Sequence, residues 1–179
     1  GILGPNGIGK TTAIKILAGQ IIPNLGDFQN TATIERVLEY LSGSELYDHF
    51  KKIKEEKLTS IVKPQYIDKL PKVMTGTIED ILKNADSSNN FENIVKKLDL
   101  ENILDKKIEK RKMSGGELQL VSIAAALLKD VELYFFDEPS SYLDIHQRLK
   151  VARIIQDLSK EKKVVVIEHD LAVLDFLCE

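Results

Sequence analysis

Cysteine and long apolar runs are scarce in this sequence of 179 residues. Its one cysteine, Cys178, excludes an internal disulfide framework and a cluster held by several thiolates of this chain. No apolar run approaches the ~20 residues that a membrane helix needs, and no signal-peptide pattern is visible. With 25 basic and 28 acidic residues, the net charge of −3 excludes a strongly basic nucleic-acid-binding protein. We therefore expect a cytoplasmic protein.

The composition is that of an ordinary globular domain. Apolar residues make up 43% of the chain and charged residues 30%, as in typical soluble proteins. A chain of this length fits one domain and can bury a sizeable core. Because the sequence starts at Gly1 without a methionine, at the edge of a motif, and stops inside a predicted helix, we expect it to be part of a longer protein.

Apolar runs alternate with amphipathic segments along the chain. Runs rich in apolar residues predict buried strands at residues 1–3, 59–63, 131–136 and 163–167. Helix patterns lie between them, and this alternation predicts an α/β fold with a mainly parallel sheet flanked by helices.

Two stretches carry helix patterns only. Residues 33–58 predict a helix-loop-helix hairpin, in which Ser44 caps the second helix. Residues 77–130 predict a helical lobe beside the sheet, which ends in a long apolar helix capped by Ser114.

A glycine-rich turn at the start of the chain has the pattern of a phosphate loop. Residues 4–11 read G-P-N-G-I-G-K-T and fit G-x-x-x-x-G-K-[ST] at every fixed position. The backbone N–H groups of such a loop and the following helix start form an anion-binding nest. Lys10 is placed to reach the β- and γ-phosphates, and the Thr11 hydroxyl to bind Mg²⁺. The predicted nucleotide-binding residues are Asn6, Gly7, Ile8, Gly9, Lys10, Thr11 and Thr12.

Two adjacent carboxylates follow the apolar run at 131–136. A buried strand that ends in Asp137 and Glu138 directs these side chains to a site at the carboxyl end of a parallel sheet. Asp137 is placed to hold Mg²⁺, and Glu138 can act as the general base that activates a water molecule. On its own, the pair also fits a solvated strand end; beside a phosphate loop, the catalytic interpretation is favoured.

The next motif identifies a class of phosphate-loop protein. Residues 113–119 read M-S-G-G-E-L-Q and resemble the L-S-G-G-Q signature of ABC ATPases. The match holds at Ser114, Gly115 and Gly116, whereas Met113 replaces Leu and Glu117 replaces Gln. Physically this is a second helix start with a capping serine and two glycines that permit close approach of a ligand.

Two single residues extend the resemblance. Gln65, in K-P-Q-Y at 63–66, is similar to the glutamine loop that senses Mg²⁺ and water in this family. His169 is similar to the switch histidine that contacts the γ-phosphate. The resemblance implies catalytic roles for Gln65, Glu138 and His169, and a metal-binding role for Gln65 beside Thr11 and Asp137.

Further motifs narrow the resemblance to one branch. They are I-L-A-G at 16–19, G-S-E-L at 43–46, S-G-G-E-L-Q at 114–119, D-E-P-S-S-Y-L-D at 137–144 and E-H-D-L-A-V-L-D at 168–175. Together they resemble the first nucleotide-binding domain of ABC subfamily E, the archaeal and eukaryotic ribosome-recycling ATPases also called RNase L inhibitors. The likeness covers essentially the whole chain, and the G-S-E-L hairpin is typical of this branch.

The resemblance implies one P-loop NTPase cassette of the ABC type over residues 1–179, truncated relative to the family. Its core α/β lobe would comprise residues 1–32 and 131–179, its helix-loop-helix insertion residues 33–58, and its helical lobe residues 77–130, ending in the signature helix. The aromatic residue that stacks on adenine in the family would lie before Gly1.

The resemblance also implies partners. In the family, two cassettes of one polypeptide pair head to tail around two ATP molecules, and each ATP meets the signature of the opposing cassette. Residues 114–117 would therefore serve the opposing site. The clamp splits ribosomal subunits in termination and recycling beside a release factor, and is linked to initiation. The hairpin at 44–57 would face rRNA of the small subunit, and the family's iron–sulfur cluster would lie outside this chain, since one cysteine cannot hold it.

Three other functions are compatible with parts of the sequence. The ATPase subunit of a membrane ABC transporter shares the phosphate loop and the signature, but has no need of the G-S-E-L hairpin. A nucleotide-gated scaffold that barely hydrolyses ATP would not need Glu138. A phosphotransferase would not need the signature at 114–116.

Overall fold

A sheet of three parallel strands carries the predicted site residues. The protein is represented by a computed structural model, which describes residues 7–27, 29, 32–63, 76–108 and 113–178. The strands are β1 (Ser60–Lys63), β2 (Leu133–Asp137) and β3 (Lys163–Ile167), in the order β1-β2-β3. Lys63 is in register with Phe136, and Asp137 with Ile167. The carboxyl ends of all three strands therefore meet at one edge of the sheet.

Eight α-helices surround this sheet in the described part of the chain. They are α1 (Lys10–Leu17), α2 (Ile34–Tyr40), α3 (Tyr47–Lys54), α4 (Ile78–Ala85), α5 (Phe91–Lys97), α6 (Gly115–Leu127), α7 (Ile145–Ser159) and α8 (Leu171–Cys178). A 3₁₀ turn spans Glu101–Ile103. Reciprocal capping boxes begin α4, α6 and α7, where Thr77, Ser114 and Asp144 accept from the backbone three residues on.

The two faces of the sheet pack against different helices. Tyr134, Phe136 and Val166 belong to the large core formed with α4 to α7. Leu133 and Phe135, on the opposite face, form a smaller cluster with α1 and β3. Because side chains alternate along a strand, the continuous apolar run of β2 is explained by its burial on both faces.

The helical hairpin, α2 and α3, is attached to the end of α1. His49 on α3 donates from Nε2 to the Leu17 carbonyl, 2.7 Å away, and Ile53 packs so closely on Gly19 that a Cβ there would lie 2.9 Å from its Cγ2. The prediction that Ser44 caps the second helix is wrong. Helix α3 begins three residues later at Tyr47, because the backbone first makes a turn in which the Tyr47 N–H donates to the Ser44 carbonyl.

The predicted α/β fold is confirmed, with a parallel sheet, flanking helices and a helix-loop-helix hairpin. The strand predicted at residues 1–3 lies outside the described residues. The division into lobes at 32, 58, 77 and 131 stays a prediction. None of the helices in the described part of the chain combines the length and the apolar character of a bilayer-spanning helix.

Candidate active site

The described part of the phosphate loop has the backbone geometry that its glycines permit. Gly7 and Gly9 have φ angles of 82° and 95°, a region that other residues rarely adopt. Helix α1 starts immediately afterwards, and its first residue, Lys10, is buried at 9% exposure. Ile8 and Thr12 are exposed. Asn6, the other predicted ligand of the nucleotide, lies outside the described residues.

Thr11 and Asp137 meet at the carboxyl end of β2. The Thr11 hydroxyl donates to Asp137 Oδ2 at 2.7 Å, although the two residues are 126 positions apart. Asp137 is buried at 2% exposure. A hydroxyl and a carboxylate converging at this distance form a set of hard oxygen donors of the kind that Mg²⁺ prefers, so these residues fit the predicted metal. Gln65, the third predicted ligand, lies outside the described residues.

Glu138 is held in an unusual backbone conformation next to this pair. Its φ angle is 49°, which is uncommon outside glycine and marks local strain. Its N–H donates to the Ile167 carbonyl at 2.8 Å. Its carboxylate accepts from the Ser141 hydroxyl at 3.2 Å and lies 3.3 Å from His169 Nε2. The structure therefore brings two of the predicted catalytic residues, Glu138 and His169, into contact.

The four residues Thr11, Asp137, Glu138 and His169 are called the catalytic cluster below, after the roles that the sequence predicts for this site. They come from the start of α1, the end of β2 and the segment after β3. Glu138 and His169 keep 18% and 37% of their side chains exposed. A ligand at this edge of the sheet can therefore reach both of them.

The signature, residues 114–117, forms a second and separate cluster at the start of α6. Ser114 Oγ accepts from the Glu117 N–H at 3.1 Å, and Glu117 Oε2 accepts from the Ser114 N–H at 2.8 Å. Lys106 Nζ donates to the other oxygen of Glu117 at 2.8 Å. The bonds from Lys106 and from the Ser114 backbone hold the pKa of Glu117 below its usual value. Glu117, at the position where the family usually has Gln, thus stays ionised while Lys106 offsets its charge.

A family comparison covers the phosphate loop, the carboxylates that end β2 and the signature. The family model described as ABC transporter matches residues 1–141 of the chain, which is more than half of its length. The chain belongs to the ABC transporter family. As a member of it, the chain is an ATPase domain that binds ATP.

Several relatives place this ABC cassette more narrowly. The translation initiation factor rli1 of Schizosaccharomyces pombe is 45% identical over 183 residues, covering 100% of this chain and 30% of that protein. The archaeal ribosome recycling factor, in a crystal structure with the archaeal ribosomal stalk protein aP1, is 53% identical, with a TM-score of 0.93 over 98% of this chain and 33% of that one. A model of ribosome-bound archaeal Pelota and ABCE1 contains a chain that is 54% identical, with a TM-score of 0.87, covering 98% of this chain and 29% of that one.

These likenesses confirm the predicted relationship to the subfamily E ribosome-recycling ATPases. Homologues at 45% identity or more include a translation initiation factor and a ribosome recycling factor. The chain spans about a third of the length of these relatives.

Sequence reasoning missed Glu168, which organises two loops of the cassette. Its side chain is buried at 2% exposure. One carboxylate oxygen accepts from the N–H groups of His169 and Asp170 at 2.8 and 3.2 Å, and the other accepts from the Ser140 N–H at 3.1 Å. Glu168 thus ties the segment after β3 to the segment after β2. The signal available in the sequence was an acidic residue directly after a buried strand.

Sequence reasoning also missed Lys63, the last residue of β1. It is buried at 1% exposure, and its Nζ donates to the Asp137 carbonyl at 3.1 Å. Burial lowers its pKa to about 8, against the opposing effect of the carboxylates of Asp137, Glu138 and Glu168. Lys63 is therefore a buried cation beneath the acidic end of β2. The sequence feature that could have indicated Lys63 was a lysine at the end of an otherwise apolar strand.

Proposed function

We propose that this cassette hydrolyses ATP when paired with a second cassette, and that the longer protein containing it splits ribosomal subunits. The catalytic part of the proposal depends on one observation, the convergence of Thr11, Asp137, Glu138 and His169 at the edge of the sheet. The ribosomal part is supported by the identity of 53% with the archaeal ribosome recycling factor over almost the whole chain.

The phosphate loop would hold the triphosphate. The positive φ angles of Gly7 and Gly9 turn successive N–H groups toward one side, as in an anion nest. The start of α1 and the ammonium group of Lys10 add positive charge there. Thr11 and Asp137 would hold Mg²⁺, which neutralises charge on the phosphates when it is bound. Gln65 is proposed as a further ligand.

Glu138 would act as the general base. A water molecule attacks the γ-phosphorus, the new P–O bond forms as the bond to the bridging oxygen of ADP breaks, and the proton of the water passes to the Glu138 carboxylate. Ser141 and His169 fix the direction of that carboxylate. His169 is also proposed to donate to the γ-phosphate.

The signature would serve the ATP of the second cassette. Its hydrogen bonds run within the start of α6 and to Lys106, whereas Glu138 accepts from Ser141 and lies against His169. The Ser114 hydroxyl accepts one bond and keeps its proton to donate to a ligand. We propose that residues 114–117 close on the opposing γ-phosphate, which makes hydrolysis dependent on pairing.

The hairpin is the proposed contact to the small ribosomal subunit. Exposed lysines cluster on and just after α3, at positions 51, 52, 54 and 57. Because α3 is bonded to the end of α1 through His49, the hairpin is held in a defined place relative to the phosphate loop. The release factor and an iron–sulfur domain outside this chain are further proposed elements, and the proposed place of action is the cytoplasm.

Sedimentation with ribosomal subunits tests this function. We expect the full-length protein to co-sediment with small subunits in the presence of a non-hydrolysable ATP analogue. Reversing charge with Lys51→Glu and Lys52→Glu should weaken this association, whereas the control pair Lys96→Glu and Lys97→Glu on α5 should not. Recovery of the protein with membranes, and no association with subunits, would favour the transporter ATPase instead.

A further inference from the structure

Gln119 has a side chain that neither the phosphate loop nor the signature accounts for. It lies on α6 and is buried at 0% exposure. Its Nε2 donates to two consecutive carbonyls, that of Glu138 at 2.9 Å and that of Pro139 at 2.8 Å. One amide group therefore holds both peptide carbonyls that follow the proposed general base.

The other half of this amide group indicates why a glutamine stands here. Within the described residues, the buried Oε1 of Gln119 has no hydrogen-bond partner. Leaving a buried amide oxygen unpaired is unfavourable, and an apolar side chain of similar length would avoid it. Exchanging the two amide atoms would place Oε1 against two carbonyl oxygens, which can only accept. The two donated bonds are thus what distinguishes Gln119 from an apolar side chain.

These bonds act on a strained part of the backbone. Glu138 has a φ angle of 49° and precedes a proline, which restricts its conformation further. Its N–H is bonded to Ile167 on β3, and its carbonyl to Gln119 on α6. The peptide units on both sides of Glu138 are therefore anchored to different elements, which is how a strained conformation persists.

The start of α6 makes a second contact with the segment that follows β2. A Cβ on Gly115 would lie 2.9 Å from Tyr142 Cδ1, and one on Gly116 would lie 3.1 Å from the Tyr142 carbonyl. The backbone of the signature thus packs directly on the segment that leads away from Glu138. Two contacts, separated by one turn of α6, join the signature to this segment.

We propose that Gln119 is a positioning residue, which keeps Glu138 aligned for catalysis and couples it to the signature at the start of the same helix. This inference depends on the proposed function, because it assigns Gln119 an effect that passes through Glu138. A ligand bound against the signature would then influence the position of the general base on the same chain.

Steady-state ATP hydrolysis by the full-length protein tests the proposal. Gln119→Met removes the donor and keeps the length of the side chain. We expect kcat to fall by roughly 10- to 100-fold, the range for a misplaced catalytic group, and KM for ATP to change by less than about threefold, because the phosphate loop is untouched. Gln156→Met is the matched control, since Gln156 donates to the Phe176 carbonyl at 3.1 Å, on α7 and α8. It should leave kcat unchanged.

A double variant separates positioning from a general loss of structure. If Gln119 acts through Glu138, Gln119→Met should cause little further loss of kcat in a Glu138→Gln background. Gln119→Glu, which keeps the shape of the side chain, should lower kcat in the same way as Gln119→Met. An unchanged kcat in both Gln119 variants overturns the proposal. It is also overturned if Gln119→Met lowers kcat by the same factor in the wild-type and the Glu138→Gln backgrounds. An unchanged kcat in Glu138→Gln would instead contradict the proposed function, because Glu138 would then not be the general base. A failure of the proposed function can therefore be told apart from a failure of the role proposed for Gln119.

Discussion

The catalytic cluster and the signature are built in opposite ways. The catalytic cluster gathers residues from distant parts of the chain, with Thr11 bonded to Asp137 across 126 positions. It contains a buried carboxylate and, at Glu138, a strained backbone. The signature consists of four consecutive residues that satisfy their own helix start through a capping box. The first cluster therefore depends on how distant elements are brought together, whereas the capping contacts of the second lie within one helix end.

This difference fits a division of roles. Buried and strained groups are typical of places where chemistry occurs. A capped helix start with glycines is typical of places where an anion is recognised. In our account, the catalytic cluster cleaves the ATP held by this cassette, and the signature recognises the ATP held by another cassette. Variants that damage one cluster and spare the other test this division.

The largest effect is expected for Glu138→Gln. Loss of the general base should lower kcat of the full-length protein by about 10²- to 10⁴-fold, while ATP binding persists and the state in which the two cassettes enclose ATP accumulates. Single-turnover hydrolysis and equilibrium ATP binding measure the two parts. Glu132→Gln is the control, because Glu132 is exposed near the opposite end of β2. An unchanged rate in Glu138→Gln would remove Glu138 as general base.

A smaller effect, on binding rather than on turnover, is expected for Lys10→Ala. A hydrogen bond to a charged group contributes about 1.5–3 kcal/mol, so ATP affinity should fall by roughly 10- to 100-fold. Titration calorimetry of the full-length protein with ATP measures it. Lys15→Ala, an exposed lysine on the same helix, should bind ATP as the wild type does. Equal affinity of the Lys10 variant and the wild type would contradict the assignment of the phosphate loop.

The lowered pKa of Lys63, which lies next to the catalytic cluster, predicts that the stability of the protein depends on pH. The folded state lowers its pKa from 10.5 to about 8, so between these pH values the unfolded chain binds more protons than the folded one. The penalty for burying the ammonium group is complete below pH 8 and disappears as pH rises to 10.5. The free energy of unfolding should therefore rise across this window, by on the order of 3 kcal/mol from this group.

Lys63→Met isolates that contribution. Denaturant unfolding near pH 7 and near pH 10 should show the wild type gaining stability relative to the variant as the pH rises. Lys163→Met serves as a control, because Lys163 is the exposed first residue of β3. A constant difference in stability between wild type and Lys63→Met over this range would show that the burial of Lys63 does not shift its pKa.

The smallest effect is expected at the signature. Ser114→Ala removes a helix cap and should lower the free energy of unfolding by about 1 kcal/mol. Thr77→Ala removes the equivalent cap of α4 and should cost a similar amount. Only the Ser114 variant should also lower ATP turnover, because Ser114 belongs to the signature and Thr77 does not. Equal loss of turnover in both variants would mean that the signature acts only through stability.

The two clusters also differ in how far the sequence predicts them. The signature helix and its capping serine follow from local rules, as do α1 and its preceding glycines, because the contacts involved span only a few residues. Local rules do not predict the contact of Thr11 with Asp137. It is expected because phosphate-loop proteins with these motifs bring the loop and the end of a later strand together.

The missed residues share a different property. Lys63 contacts Asp137 across 74 positions, Ser140 contacts Glu168 across 28, and Gln119 reaches Glu138 across 19. Nothing in the periodicity of β1 or α6 indicates such partners, because they depend on how strands and helices are arranged in space. The positive φ of Glu138 is equally a product of tertiary contacts, since a glutamate before proline has no local preference for it.

A structure of the full-length protein with both cassettes and a non-hydrolysable ATP analogue tests the central claim most directly. The quantity to measure is the distance from Ser114 Oγ to the γ-phosphate of each nucleotide. We predict a hydrogen bond of about 2.5–3.0 Å to the nucleotide on the opposing cassette, while Glu138 faces the nucleotide of its own cassette. Contact of Ser114 and Glu138 with the same γ-phosphate would contradict the account.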